Sequence, residues 1–221
     1  MFKKILIVED IDSISIGVTT LLESNFDADI RSTKYCDEAL LKLKKAYNEN
    51  DPFDLVITDL SFQDSQRETK ISTGEDLIYQ IKREQPFIRI IAYSVDDKPF
   101  RIKSLFDSYR IDGFVAKGRE SVTELIDAVT LIYNTGEKYI SPQLAYILKD
   151  FSHHIDEDDI ELLICLSNGM TQSEISDTFR NQLKKTSSTS SIEKRLNRLK
   201  LNFKANNTIH LISIAKDIGL I

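Results

Sequence analysis

Apolar and polar positions alternate between two periods along the first part of the chain. Residues 4–9 (KILIVE) are a short apolar run, and residues 11–24 follow with Ile14, Val18, Leu21 and Leu22 at helical spacing. Residues 29–33 read as a weak strand, and 37–48 as a helix with Ala39, Leu40, Leu43 and Tyr47 on one side. LVIT (55–58), RIIAY (89–93) and GFVA (113–116) are further runs of strand type, separated or followed by helical stretches at 74–84, 97–108 and 121–134. Strands alternating with helices imply parallel strands joined by right-handed crossovers. The pattern predicts an α/β domain over 1–135 with a flavodoxin-like, doubly wound, five-stranded parallel sheet. After it the two-residue period disappears. Residues 157–167, 171–183, 190–201 and 207–217 read as four short helices, and Thr171 with Glu174 makes a capping-box signature. This predicts a small all-α domain over 156–221. Between them, 136–155 reads as a linker: Gly136, Ser141 and Pro142 interrupt the period, and Tyr146, Ile147, Leu148 and Phe151 suggest that part of it is helical.

Composition narrows the class. Hydrophobic residues at 41% and charged residues at 29% argue against wholesale disorder. No apolar run approaches the roughly 18 residues that a membrane span needs. MFKKILIVED passes straight into a strand and then acids, so no cleaved signal peptide is expected. Cys36 and Cys165 are far apart and lack metal-spaced neighbours, and His153-His154 reads as linker surface. The expectation is a soluble cytoplasmic protein with no membrane partner.

The net charge of -6 belongs to the first 140 residues, since acids and bases balance after them. Within that balanced part, Arg180 to Lys204 holds eight basic residues against Glu193 alone, which calls for a polyanion hypothesis beside the plainer one of a solvated helix face.

Ligands of doubly wound sheets bind outside the carboxyl ends of the strands. Here those ends carry Glu9 and Asp10 on strand one, Asp59 on strand three, Ser94 on strand four and Lys117 on strand five. Clustered carboxylates call for a cation, and oxygen-only ligands with open positions suit magnesium. An Asp carboxylate can attack phosphorus and form an acyl phosphate. Lys117 and Ser94 would then meet the phosphoryl oxygens. Taken singly, such residues are ordinary turn and cap residues; the argument rests on their joint placement.

ILIVED, LVITDLS, IIAYS and GFVAKG resemble the signatures of bacterial response-regulator receiver domains. The resemblance implies that Asp59 accepts a phosphoryl group from a sensor histidine kinase. It implies that Asp10, Asp59 and the backbone carbonyl of Ser61 bind magnesium, with Glu9 nearby through water, and that Ser94 and Lys117 engage the phosphoryl group. Phe114 falls where the family keeps an aromatic rotamer switch, and also where a core aromatic of strand five would lie. Two features depart from the family. The 61–73 segment between Asp59 and Gly74 is longer than usual and polar. Val95 stands where a small residue normally leaves the phosphoryl group accessible. Both are expected to restrict access to Asp59.

IDEDDIELLICLSNGMTQSEIS resembles the opening of a LuxR/NarL-type helix-turn-helix, and SSIEKRLNRLKLNF its recognition helix. The resemblance implies duplex DNA as partner and a homodimer on paired half-sites. Lys184, Lys185, Ser190, Lys194, Arg195, Asn197, Arg198 and Lys200 are the candidate DNA contacts, with Ile192, Leu196 and Leu199 as the buried stripe. NQLKKTSSTSS is longer than the family's turn, so it either lengthens the turn or extends the preceding helix. The expected function is a phosphorylation-controlled transcription factor that is not an enzyme. The rival is a phosphorylation-dependent adaptor whose helix-turn-helix-derived domain does not read DNA.

Overall fold

The computed structural model of the protein describes residues 1–62, 70–145, 147, 155–184 and 187–221. They fall into two compact units, one built chiefly from residues 1–146 and the other chiefly from 147–221.

The first unit runs β1 (Lys4–Val8), α1 (Asp12–Asn25), β2 (Asp29–Thr33), α2 (Cys36–Asn48), β3 (Leu55–Thr58), α3 (Gly74–Glu84), β4 (Arg89–Ser94), α4 (Pro99–Asp107), β5 (Gly113–Ala116), α5 (Ser121–Thr135) and β6 (Tyr139–Ile140). The sheet order is β2-β1-β3-β4-β5-β6, with every pairing parallel. From β1 the chain crosses to one side to make β2 and to the other to make β3 onward. The connections therefore diverge between β1 and β3 and leave a crevice at their carboxyl ends.

β1, β3 and β4 are buried along most of their length, as strands covered on both faces must be. Ile5, Ile7, Leu55, Ile57, Ile91, Tyr93 and Val115 pack with Val18 and Leu22 of α1 and Leu125, Ala128, Val129 and Ile132 of α5. The alternate strand residues Leu6, Val8, Val56, Ile90, Ala92 and Phe114 are equally buried and point to the opposite face.

The sheet has one strand more than the sequence pattern predicts. Tyr139 and Ile140 pair with Gly113 and Phe114 inside the segment expected to be linker. Two residues are too few to show a period. Ser141 then finishes the edge: its N–H donates to the Phe114 carbonyl at 3.0 Å, and its Oγ accepts the Ala116 N–H at 2.9 Å. A 3₁₀ turn at Pro142–Leu144 follows. Of the residues expected to form a linker helix, Ile147 is helical and buried, whereas Tyr146, Leu148 and Phe151, like His153 and His154, lie outside the described residues.

The second unit contains α6 (Glu157–Ser167), α7 (Gln172–Asn181), α8 (Thr189–Asn202) and α9 (Thr208–Asp217). Leu162, Leu163, Ile175, Phe179, Ile192, Leu196, Leu199, Leu211 and Ala215 share one core. The Thr171–Glu174 capping box is present at the start of α7. α7 is shorter than the apolar pattern predicts because Leu183 turns left-handed (φ 57°) and the Lys184 N–H reaches back to the Phe179 carbonyl at 3.0 Å. That closure ends a helix in the Schellman manner. The added residues therefore lengthen the turn. The described ends of that turn are secured by Ser176 Oγ, which donates to the Ser187 carbonyl at 2.6 Å, and by Ser188, which caps α8.

The long 61–73 segment also returns to a fixed point. Ser61 and Thr73 form an antiparallel bridge, and the Gly74 N–H donates to the Leu60 carbonyl at 3.0 Å. A Cβ on Gly74 would lie 1.9 Å from the Asp59 carbonyl oxygen. Gly74 is thus required for close approach of α3 to the backbone behind Asp59. Gly74→Ala should destabilise the first unit by about 1–3 kcal/mol, the usual cost of overpacking, read as a lower urea midpoint.

Candidate functional site

The carboxyl ends of β1, β3 and β5 bring Glu9, Asp10, Asp59 and Lys117 together. One carboxylate oxygen each from Glu9, Asp10 and Asp59 lies within 4.8 Å of the others. Asp59 Oδ1 accepts the N–H groups of Leu60 at 2.6 Å and Ser61 at 3.3 Å. Its Oδ2 accepts from Lys117 Nζ at 2.7 Å, and the same ammonium donates to Glu9 Oε2 at 2.7 Å. Asp59 is held from behind as well, because Thr58 Oγ1 donates to its carbonyl at 2.8 Å.

Glu9 is 2% exposed and Asp59 5% exposed, so these two carboxylates are nearly withdrawn from water, while Asp10 is half-buried. Burial raises the Glu9 pKa above its ordinary value, and the Lys117 hydrogen bond opposes that rise without cancelling it. Burial alone would lower the Lys117 pKa, but hydrogen bonds to Asp59 and Glu9 outweigh it and hold the ammonium above its ordinary value. Lys117 is therefore charged at neutral pH. An oxygen-only set of three carboxylates suits a hard divalent cation. The Ser61–Thr73 bridge runs through the Leu60 carbonyl, so it does not use the carbonyl of Ser61.

Ser94 is fully buried at the end of β4, where its carbonyl accepts the Lys117 N–H at 2.8 Å and its Oγ accepts the Asp96 N–H at 3.4 Å. Phe114 is fully buried in β5, which is its core role. Val95 is 70% exposed, with most of its side chain in solvent. Of the 61–73 segment, residues 63–69 lie outside the described ones. Its return is fastened to the start of α2, where the Lys70 N–H donates to Asp37 Oδ2 at 3.0 Å and Ile71 is buried. Cys36 lies beside this return, and burial first, then nearby acids, push its thiol pKa up to about 12. That thiol is unreactive near neutral pH.

The sequence gives no sign of the two backbone amides on Asp59, because any residue supplies them. Tyr93 was also unmarked. Its ring centroid lies 5.3 Å from Lys117 Nζ, and its hydroxyl lies 3.0 Å from Ser121 Oγ.

The basic segment of the second unit has carboxylate partners that the sequence pattern does not show. Arg195 was expected at DNA, but its side chain is 13% exposed and its Nη1 donates to Asp156 at 2.6 Å and Asp159 at 2.7 Å. Arg198 Nη2 donates to the same Asp159 at 2.6 Å. Lys184 Nζ donates to Asp158 at 2.7 Å and to Glu161, and lies 4.5 Å from the Phe179 ring centroid. These three cations bind α8 and the end of α7 to the acidic start of α6. Charge counted along the sequence overstated the free positive charge, because the partners lie some twenty to forty residues earlier. Lys185 lies outside the described residues. Ser190, Lys194, Asn197 and Arg198 are exposed on α8, and Lys200 is half-buried. Their spacing of three and four residues places Ser190, Lys194 and Asn197 on one helix face.

No family model matches the chain. It is 26% identical over 185 residues to the response regulator GacA of Pseudomonas aeruginosa, spanning 79% of each chain. Among solved structures, RcsB, a response regulator of Salmonella typhimurium, superposes with a TM-score of 0.71 at 21% identity over 97% of this chain and 99% of that one. RcsB from Salmonella enterica serovar Typhimurium bound to a promoter in the presence of the phosphomimetic BeF3- gives 0.66 at 21% identity, over 99% of this chain and all of that one. The isolated receiver domain of that RcsB gives 0.55 at 24% identity, over 66% of this chain and 99% of that one. The fold is thus a receiver-type α/β unit followed by a helical unit, and the sequence is similar to that of a two-component response regulator. No helix among the described residues is long and apolar enough to cross a membrane.

Two expectations follow from the ion pairs. Asp159 is fully buried beneath two guanidinium groups. Asp159→Ala should destabilise the second unit by about 3–5 kcal/mol, because it strands a partly buried cation; chemical denaturation measures this. The Asp156 pKa is lowered, first by the Arg195 hydrogen bond. A depressed carboxyl contributes stability above its unfolded pKa and loses it as pH falls through its folded value. Unfolding midpoints should therefore drop below about pH 4, and Asp156→Asn should weaken that dependence.

Proposed function

We propose that the protein is a cytoplasmic phosphorylation-controlled response regulator and transcription factor, with a receiver domain over 1–135 and a DNA-binding domain over 156–221. The observation that carries the reading is Asp59: a nearly buried carboxylate, oriented by two amides and Lys117, beside Glu9 and Asp10. An Asp59 oxygen attacks the phosphorus of a phosphohistidine on a sensor kinase. The P–O bond forms, the P–N bond breaks, and the imidazole leaves. The product is an acyl phosphate. Lys117 keeps its charge and neutralises phosphoryl oxygens, while the Ser94 hydroxyl donates to one of them. Asp10, Asp59 and the Ser61 carbonyl would hold magnesium with Glu9 alongside, and when bound the ion supplies further positive charge against the phosphoryl group. The chain in this reading is the substrate of its kinase and turns over no other molecule.

Phosphorylation biases two arrangements of the α4–β5–α5 face, with Phe114 as the ring that changes rotamer. The outcome is a C2 homodimer that presents two α8 helices to duplex DNA. The RcsB structure bound to a promoter with a phosphomimetic supports this reading by its fold. Within α8, Ser190, Lys194, Asn197 and Arg198 are the exposed candidates, Arg198 while paired to Asp159, and Lys200 is a further candidate phosphate contact. The adaptor reading draws on a specific observation too: Lys184, Arg195 and Arg198 are engaged by carboxylates of α6.

Asp59→Asn should take no phosphoryl group from a small phosphodonor with magnesium, whereas the parent protein should. On duplexes selected from a random pool by the phosphorylated full-length protein, Lys194→Ala should reduce the slope of log K against log salt by about one unit if it meets a phosphate. If the phosphorylated protein ignores duplex DNA at low salt, the adaptor reading replaces the transcription-factor one.

A further inference from the structure

Resting on the acceptor reading of Asp59, we infer that Tyr93 is a positioning residue: its ring face, set beneath the Lys117 ammonium, keeps that ammonium aimed at the acceptor. Tyr93 immediately precedes Ser94 on β4, and strand alternation turns its side chain to the opposite face of the sheet. The ring is 7% exposed within the core shared by α1 and α5, and Lys117 Nζ lies 5.3 Å from its centroid. The negative face of an aromatic ring attracts a cation, more strongly when water is excluded. Lys117 thus has three supports, with Glu9 and Asp59 carboxylates each at 2.7 Å.

The three supports differ in kind. A carboxylate hydrogen bond is directional and fixes the ammonium at one place. A ring face is broad, so the ammonium can move from the free carboxylate toward phosphoryl oxygens without leaving it. The ring itself is fixed at its far end. Ser121 Oγ donates to the Gly118 carbonyl at 2.8 Å, so its single proton is used and the Tyr93 hydroxyl must donate to it. Ser121 opens α5, and Gly118 follows Lys117. One side chain therefore holds both the ammonium and the loop that carries it. The plainer reading is that Tyr93 only fills the core, a task that any ring of the same shape would perform.

The test uses full-length protein with Tyr93, Tyr93→Phe, Tyr93→Leu, or pentafluorophenylalanine at position 93, whose shape is close to that of phenylalanine but whose ring face no longer attracts cations. Acetyl phosphate with magnesium is the phosphodonor. The rate of acyl phosphate formation is read together with the NMR signal of the Lys117 ammonium in unphosphorylated protein. Tyr93→Phe should stay within about twofold of the parent rate, whereas the leucine and fluorinated forms should fall by about tenfold, the scale of a desolvated cation–π contact. The ammonium signal should broaden in those two forms only. The inference is overturned if the fluorinated form matches Tyr93→Phe in rate and signal. It is equally overturned if Tyr93→Phe falls as far as Tyr93→Leu, which would place the effect in the hydroxyl. Should Tyr93→Leu fail to fold, the fluorinated form decides. A parent protein that takes no phosphoryl group sinks the acceptor reading instead, and the ammonium signal, which needs no phosphodonor, still decides the positioning.

Discussion

The ammonium of Lys117 is the one cation among the described side chains that bridges the acidic crevice, and the arrangement of the crevice depends on it. Two nearly buried carboxylates, Glu9 and Asp59, accept from it at 2.7 Å. Without that charge, their mutual repulsion and lost hydration would drive one to take up a proton. Burial already pushes Glu9 in that direction, raising its pKa above the ordinary value. The fold supplies the rest. β1 and β3 are neighbours, so their carboxyl ends deliver Glu9, Asp10 and Asp59 to one place. β5 is two strands from β3, a distance that a long lysine side chain can cover.

The second unit meets a related problem in the opposite sign. α8 and the turn before it carry clustered cations, and the start of α6 carries Asp156, Asp158, Asp159 and Glu161 against them. Asp159 serves twice: it completes the capping box of its own helix and accepts from both Arg195 and Arg198. The turn between α7 and α8 is long, and a long turn fixes the next helix poorly. The ion pairs supply an orienting constraint that turn length does not. They also remove cations from the set that could meet a polyanion, so Lys194 and Lys200 matter more than their share of the local charge.

Legibility followed the length scale of each feature. β1, β3, β4, β5 and the helices showed because each spans several residues with one period. The residues at strand ends were legible because a parallel sheet converts sequence order into spatial neighbours. β6 was not, since two residues carry no period. The end of α7 was missed because Leu183 is apolar and continues the pattern while its backbone turns left-handed. The carboxylate partners of Arg195 and Arg198 were not legible, for a different reason. Whether an arginine on a helix meets DNA phosphate or a carboxylate depends on a partner helix packed against it, and that packing is not written in local spacing.

Val95 and the 61–73 segment test how much local departure the site absorbs. The oxygens of Asp59 accept hydrogen bonds from its immediate neighbours, Thr58, Leu60 and Ser61, the last of which opens the long segment, and from Lys117. The segment leaves through Ser61 and comes back through Thr73, bridged to each other, with Gly74 seated against the Asp59 carbonyl. The absence of a Cβ at Gly74 is what lets the returning chain come that close. A receiver-type site can thus carry a lengthened loop beside its acceptor as long as the bridge and the glycine are kept.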